Sequence, residues 1–210
     1  KNKSRITYPS KWRIINEGKK IYYKDNNNKI VIQSNYINSK GLIDNLGLAI
    51  KIALDLKIKP TIIEQTIPRI FFEGRLQYIK KGKLRKFVHK NEKIILDGAH
   101  SNTSGKNLYN YLKTIKLPIY CIWGMQKNKF PNDFLKNFKG IFKKIITVKI
   151  PNEKNSCTAE ELKKITSHQN YETETAKDFK QALKKITSKE PKLICFMGSL
   201  YFIGSVLKEN

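Results

Sequence analysis

The chain has 210 residues, with 42 Lys and Arg against 17 Asp and Glu, a formal net charge of +25 and a hydrophobic share of 40%. A chain of this length buries roughly 70% of its unfolded surface, so general disorder is excluded. The longest apolar runs fall far short of the ~20 residues of a membrane-spanning helix, and no signal-peptide core follows Lys1-Asn2-Lys3. The expectation is a cytoplasmic protein with no membrane partner. It begins at Lys1 without a Met, and the expectation is that the natural start lies upstream.

Only five of the basic residues are Arg; the other 37 are Lys, accompanied by 29 Ile and 19 Asn. Those are residues that A/T-rich codons specify, and the Lys residues are scattered rather than in blocks. A surface built to grip phosphates favours Arg, whose planar fork takes two oxygens at once. The charge therefore reads as a solvated background, and nucleic-acid binding as the minority reading. Cys121, Cys157 and Cys195 are far apart and odd in number, which suits reduced thiols. His89, His100 and His168 lack metal-ligand spacing.

The first 37 residues read as three short strands, Trp12 to Ile15, Lys20 to Lys24 and Ile30 to Ser34, separated by Glu17-Gly18 and Asp25-Asn26-Asn27-Asn28. Leu46, Ala49, Ile50, Ala53 and Leu54 then repeat at helical spacing, with Lys57 and Lys59-Pro60 closing the helix. A short helix is predicted from Pro60 to Ile67. From Arg69 onward strands alternate with helices. Strand 93–96 ends in Asp97-Gly98, and a helix carries Leu108, Leu112 and Ile115. Strand 118–123, a helix around Phe134 and strand 144–150 follow. Thr158-Ala159-Glu160-Glu161 is a capping box that opens a helix. Another helix has Ala176, Phe179, Leu183 and Ile186 on its core face. Strand 192–197 leads directly into a last helix from Ser199. This alternation implies an α/β fold with a mostly parallel sheet and flanking helices over residues 69–210. Residues 1–68 are too few and too oddly assembled to be a whole domain.

In such sheets ligands bind beyond the carboxyl ends of the strands. Asp97-Gly98-Ala99-His100-Ser101, Gly124-Met125 and Gly198-Ser199 all stand at such ends. The last opens a helix, where free N–H groups favour an anion. Strand order permitting, Asp97, His100 and Ser199 line one crevice. Singly, each has a plainer reading: Asp and Ser are common caps, and a loop His is often mere surface. Gly98 to Gly105-Lys106-Asn107 is a near miss to a phosphate loop, with six residues between the glycines and Asn in place of the hydroxyl. GxGxxG, nucleophile elbow and HExxH motifs do not occur.

Phe72-Glu73-Gly74-Arg75-Leu76-Gln77, Ile95-Leu96-Asp97-Gly98-Ala99-His100 and Gly198-Ser199-Leu200-Tyr201, in this order and spacing, resemble the folylpolyglutamate synthase/dihydrofolate synthase family of the Mur ligase superfamily. Trp123-Gly124-Met125 with downstream Lys129, Ile150-Pro151-Asn152-Glu153 and Ala159-Glu160-Glu161-Leu162 also resemble stretches of that family. The resemblance implies the C-terminal portion of such an enzyme. Residues 1–68 would be the end of its central ATPase domain and 69–210 its Rossmann-like C-terminal domain.

It further implies an ATP-dependent ligase that joins L-glutamate to a folate or dihydropteroate carboxylate through an acyl phosphate, with this chain inactive alone. Asn45, Arg75 and Asp97 would contact ATP, and His100 and Ser199 the glutamate, with His100 catalytic. The Mg2+ ligands, phosphate loop and carbamoylated lysine would lie in the N-terminal half, which a separate gene could encode; the enzyme would be a monomer. The chain departs from the family pattern at Gly41-Leu42, where His-Gln is usual, at Glu73, where Pro is usual, and at Ser101, where Asn is usual. Other readings of the residues are a different Mur-type amino-acid ligase, a basic nucleic-acid-binding module and a degenerate pseudoenzyme.

Overall fold

A computed structural model describes residues 11–18, 20–34, 37 and 39–210, and the chain divides into two compact units, Lys1–Phe71 and Phe72–Asn210. In the first unit, strands β1 (Trp12–Glu17), β2 (Lys20–Asp25) and β3 (Lys29–Ile32) form an antiparallel sheet in the order β1-β2-β3. The Asp25 carboxylate makes the second turn by accepting the N–H groups of Asn27 and Asn28 at 2.9 and 2.7 Å. Helix α1 (Lys40–Asp55) begins at Ser39, whose hydroxyl accepts the Leu42 N–H. It buries Leu46 and Ile50 with Tyr23, Ile30 and Ile32 of the sheet. Gly47 permits the approach, since a Cβ there would lie 2.5 Å from Trp12 Cζ3. Helix α2 (Pro60–Thr66) has Pro in its first turn, where no N–H is needed, and adds Ile63 to the core.

The second unit is the α/β domain anticipated from the alternating pattern. Its strands are β4 (Gln77–Tyr78), β5 (Glu92–Asp97), β6 (Ile119–Trp123), β7 (Phe142–Thr147), β8 (Thr173–Thr175) and β9 (Lys192–Met197). They form one sheet in the order β4-β5-β9-β6-β7-β8, all parallel except β4 at the edge. Every residue of β9 is buried, as expected for a central parallel strand covered on both faces.

Ile94, Leu96, Ile122, Ile194 and Phe196 share one core cluster with residues of helices α6 (Phe179–Ile186) and α7 (Leu200–Leu207). On β6, Trp123 points the other way and stacks on Phe134 of α4 (Pro131–Leu135). Helices α3 (Asn102–Leu112) and α5 (Ala159–His168) contact α4. Cys121 and Cys195 are register partners with no exposed surface, and burial pushes both thiols well above their ordinary range, so they are inert core residues.

Local details differ from the sequence reading for identifiable reasons. Ile115 lies beyond the end of α3, and Ala176 precedes α6, whose cap is Asp178. The helix around Phe134 is one short turn continued by a 3-10 turn over Lys136–Phe138. Strand β7 starts at Phe142 and stops at Thr147. Strands β4 and β8, of two and three residues, were not anticipated. The capping box at Thr158 and Glu161 is formed as read. Among the described residues no helix is long and apolar enough to cross a membrane.

Candidate functional site

The sheet order brings three of the motif-bearing strand ends side by side. Asp97 at the end of β5 is in register with Met197 of β9, and Met197 with Trp123 of β6. Beyond them, the Gly124 N–H donates to the Met197 carbonyl at 3.2 Å. A Cβ on Gly98 would lie 3.2 Å from the Leu200 Cα, so the turn after β5 touches the first residue of α7. The 97–100 and 198–200 segments are thus in direct contact.

The Gly74-Arg75-Leu76 turn is strapped to this edge. The Gly98 N–H donates to the Gly74 carbonyl at 2.7 Å, and the Gly74 N–H donates to Gln77 Oε1 at 2.7 Å. Asp97 completes the strap: Oδ2 accepts the Leu76 N–H at 2.9 Å and Oδ1 the Ala99 N–H at 2.8 Å. Gly74 has φ +68, and a Cβ there would meet Ile203 Cγ2 at 2.8 Å. Leu76, with φ 45, takes a left-handed conformation that a leucine normally avoids. Arg75 is half-buried, close enough for its charge to act on Asp97. Burial raises the Asp97 carboxyl above its ordinary range, against the opposing pull of the two N–H bonds and of Arg75 and His100.

His100 is half-buried, and its Nδ1 lies 2.7 Å from the Gly98 carbonyl. A carbonyl only accepts, so Nδ1 carries the proton and Nε2 is the acceptor of the neutral ring. Ser101 caps α3 with Ser104 reciprocating. His100, Ser101 and Asn102 form one wall of a cleft of about 590 Å³, and Lys129, Phe130, Asp133, Phe134 and Lys136 contribute to the other. Asp133 pairs with Lys136 at 2.8 Å. Phe130, at the mouth, is exposed and left-handed (φ 51, ψ 63) just before Pro131. Sequence reading singled out Lys129 but not Phe130 or Lys136. The Phe-Pro step was the available signal, because a residue before proline is steered away from the right-handed helical region.

Ser199 caps α7, its hydroxyl accepting the Tyr201 N–H at 3.2 Å, and is 1% exposed. Asp97 is 6% exposed. The segments bearing Asp97, His100 and Ser199, expected to line one crevice, thus meet at one end of the sheet, with the three side chains at different depths. His100 faces the cleft, whereas Asp97 and Ser199 are held beneath the surface by main-chain N–H groups. Gly198 (φ +111) has no room for a side chain, since a Cβ would lie 2.5 Å from the Gly124 carbonyl oxygen and 2.8 Å from Trp123 Nε1. That indole N–H is the one buried side-chain N or O atom without a hydrogen-bond partner among the described residues. Asn45, an exposed residue of α1, belongs to the first unit. Among the described residues no group of three or more His, Cys, Asp or Glu could hold a metal ion.

The same fold occurs in known proteins. The Thermotoga maritima folylpolyglutamate synthase superposes with a TM-score of 0.68 at 21% identity, over 90% of this chain and 42% of that one. The Mycobacterium tuberculosis folylpolyglutamate synthase complexed with ADP gives 0.76 at 12% identity, over 94% and 46%. A bifunctional folylpolyglutamate synthase/dihydrofolate synthase with Mn, AMPPNP and L-glutamate bound gives 0.69 at 14% identity, over 94% and 45%. The chain thus spans less than half the length of these structures, and the likeness establishes the fold. Comparison with curated protein sequences finds no match. The family profile described as dihydrofolate synthetase, C-terminal domain, matches residues 80–209. With that match over more than half of its length, the chain belongs to the folylpolyglutamate synthase/dihydrofolate synthase family and carries the C-terminal portion of its fold.

Proposed function

We propose that this chain is the C-terminal portion of an ATP-dependent ligase that adds L-glutamate to a folate, to dihydropteroate, or to both, and that it is inactive without the other half of the enzyme. The observation that carries the reading is the convergence of the Gly74–Leu76, Asp97–His100 and Gly198–Ser199 segments on one edge of the sheet in a chain of this family. The ligands bound in the related structures, ADP, AMPPNP, Mn and L-glutamate, agree in kind.

A carboxylate is a poor electrophile, so the reaction needs ATP to convert it to an acyl phosphate. The glutamate nitrogen then attacks the acyl carbon, a C–N bond forms, and inorganic phosphate leaves with the C–O bonding pair. Charge neutralisation and positioning supply most of the rate in such phosphoryl chemistry. In this reading Arg75 contacts the ATP phosphates, and Asp97 acts on the nucleotide largely by fixing the turn that carries Arg75. Asn45 is a further ATP contact.

His100, with Nδ1–H committed to Gly98, offers Nε2 as the base that takes a proton from the glutamate ammonium. Lys129 across the cleft can meet a carboxylate. Ser199 orients glutamate from the α7 terminus. The Mg2+ that accompanies the nucleotide would be held by residues of the other half of the enzyme. The enzyme is taken to be cytoplasmic and monomeric.

The test is a ligation assay measuring phosphate release that depends on both pteroate substrate and glutamate. None is expected from the chain alone; release from the chain alone overturns the reading that the other half is required. A complex of both halves that still fails to ligate overturns the proposed activity.

A further inference from the structure

Two unfavourable features coincide at Phe130. Its ring is 74% exposed, the highest value of any large hydrophobic residue described, so it adds almost nothing to the core. Its backbone is left-handed, a conformation that glycine adopts freely and that crowds the Cβ of any other residue. The other left-handed side-chain-bearing residues have local accounts. Asn152 and Asn170 are of the type that tolerates it, Lys57 ends α1 as helix ends commonly do, and Asp97 holds Leu76. Nothing comparable explains Phe130, yet its surroundings fix it. Pro131 follows as the first residue of α4, and the Phe134 N–H donates to the Phe130 carbonyl at 3.0 Å. Phe134 stacks on buried Trp123, and Gln169 Nε2 donates to the Asn132 carbonyl and Oδ1 at 3.1 and 2.9 Å. The ring is thus held at the mouth of the cleft that His100 lines from the other wall. A strained residue so over-determined is a feature of functional sites.

The charges of the cleft indicate what the ring would cover. Lys129, half-buried on the same wall, forms no ion pair among the described residues, and so offers an uncompensated cation to an anion. Lys136 and Asp133 stand beside it as an exposed pair, able to exchange each other for a second carboxylate and an ammonium. The buried Phe134 also lines the cleft. Apolar rings among charges of both signs suit a small molecule with charged ends and an apolar middle. We infer that Phe130 is the specificity-determining residue of this cleft: its ring covers the methylene chain of an amino dicarboxylate whose carboxylate Lys129 meets. This rests on the proposed ligase reading and deepens its amino-acid site. Covering the methylenes favours glutamate over a shorter homologue, since each methylene in an apolar contact adds affinity.

The experiment titrates the 210-residue chain calorimetrically with L-glutamate and with L-aspartate at constant ionic strength, alongside urea unfolding. L-Glutamate is expected to bind more tightly than L-aspartate. Phe130→Gly is expected to weaken L-glutamate on the order of tenfold, the worth of covering two methylenes, and to narrow the gap between the two amino acids. Its urea midpoint should stay level or rise, because glycine relieves the left-handed crowding. Phe130→Tyr, which keeps the ring, should bind as the parent does. Unchanged L-glutamate affinity in Phe130→Gly overturns the inference, as does a parent chain that binds no L-glutamate. An affinity loss in Phe130→Gly that comes with a lower urea midpoint assigns the ring to packing and overturns it too. Phe130-dependent glutamate binding in an assembled enzyme that joins no glutamate leaves the role of Phe130 standing and removes the proposed activity instead.

Discussion

The Asp97 carboxylate accepts the Leu76 N–H at 2.9 Å and so holds a leucine at φ 45 beside Arg75. The second carboxylate oxygen is engaged by Ala99, so both main-chain donors need an acceptor there. Asp97→Asn keeps shape and one acceptor but turns an NH2 group toward one of the two N–H groups. The expected cost is about 1–3 kcal/mol, the penalty of a buried donor left unsatisfied, read as a lower urea midpoint. In an assembled, active enzyme the same variant should raise KM for ATP more than it lowers kcat, because Arg75 is displaced rather than removed.

Two glycine substitutions separate backbone strain from crowding. Gly140 has φ +77 with nothing within 4 Å of a Cβ, whereas a Cβ on Gly198 (φ +111) would collide with main-chain oxygen and with Trp123. Gly140→Ala should cost about 1 kcal/mol, the left-handed penalty alone. Gly198→Ala should cost about 3 kcal/mol or more, since strain and overpacking add. Denaturant melts of the two variants side by side check the ranking; equal losses would mean that the Gly198 turn can relax.

Much of this architecture was legible in the chain. Strand β9 is an unbroken apolar run from Leu193 to Met197, ended by Gly198, and the Thr158–Glu161 capping box announces α5 by its own side chains. Both signals are local. Strands β4 and β8 are too short for any alternation and exist because a neighbour pairs with them. The role of Asp97 was also hidden. Its type and its place after a strand suggested a ligand contact, but the partner that uses Oδ2 is Leu76, and nothing local makes a leucine left-handed. Ser199 was legible both as a cap and as a site residue, and its hydroxyl serves as the cap.

Acid should weaken the β7–β8 edge. Glu174 pairs with Lys144 and Lys185 at 2.5 and 2.7 Å, and these hydrogen bonds lower its carboxyl from 4.5 to about 2. The unfolded chain therefore binds the proton first. The stabilisation is complete above pH 4.5 and is lost as the pH falls through about 2. Glu174 is 42% exposed, so solvent screening limits each pair to ~0.2–1 kcal/mol. Glu174→Gln should shrink the difference between urea midpoints measured at pH 5.5 and pH 2.5, and an unchanged difference would assign the acid sensitivity elsewhere.

The amino-terminal end of the central strands, opposite the Asp97 and Gly198 turns, holds a buried charge pair that the proposed chemistry does not use. Glu92 and Lys192, paired in register at the start of β5 and β9, are 2% and 3% exposed. Glu92 accepts the N–H groups of His89 and Ser188 at 2.7 and 2.9 Å and the Thr187 hydroxyl. Lys192 Nζ donates to the Ile186 carbonyl at 3.0 Å and to Ser188 Oγ at 2.6 Å, sits over the Tyr120 ring, and lies 3.8 Å from Glu92. Removing the carboxylate strands the ammonium and two N–H groups at once, so Glu92→Ala should cost about 3–5 kcal/mol. Replacing both residues with apolar ones of similar size, Glu92→Leu with Lys192→Met, should cost less than that single change, because no uncompensated charge remains buried, although the loop N–H groups still lose their acceptor. A double-mutant cycle in urea measures this directly. A double variant less stable than Glu92→Ala would show that the hydrogen-bonded loop ends, not the buried charges, dominate this end of the sheet.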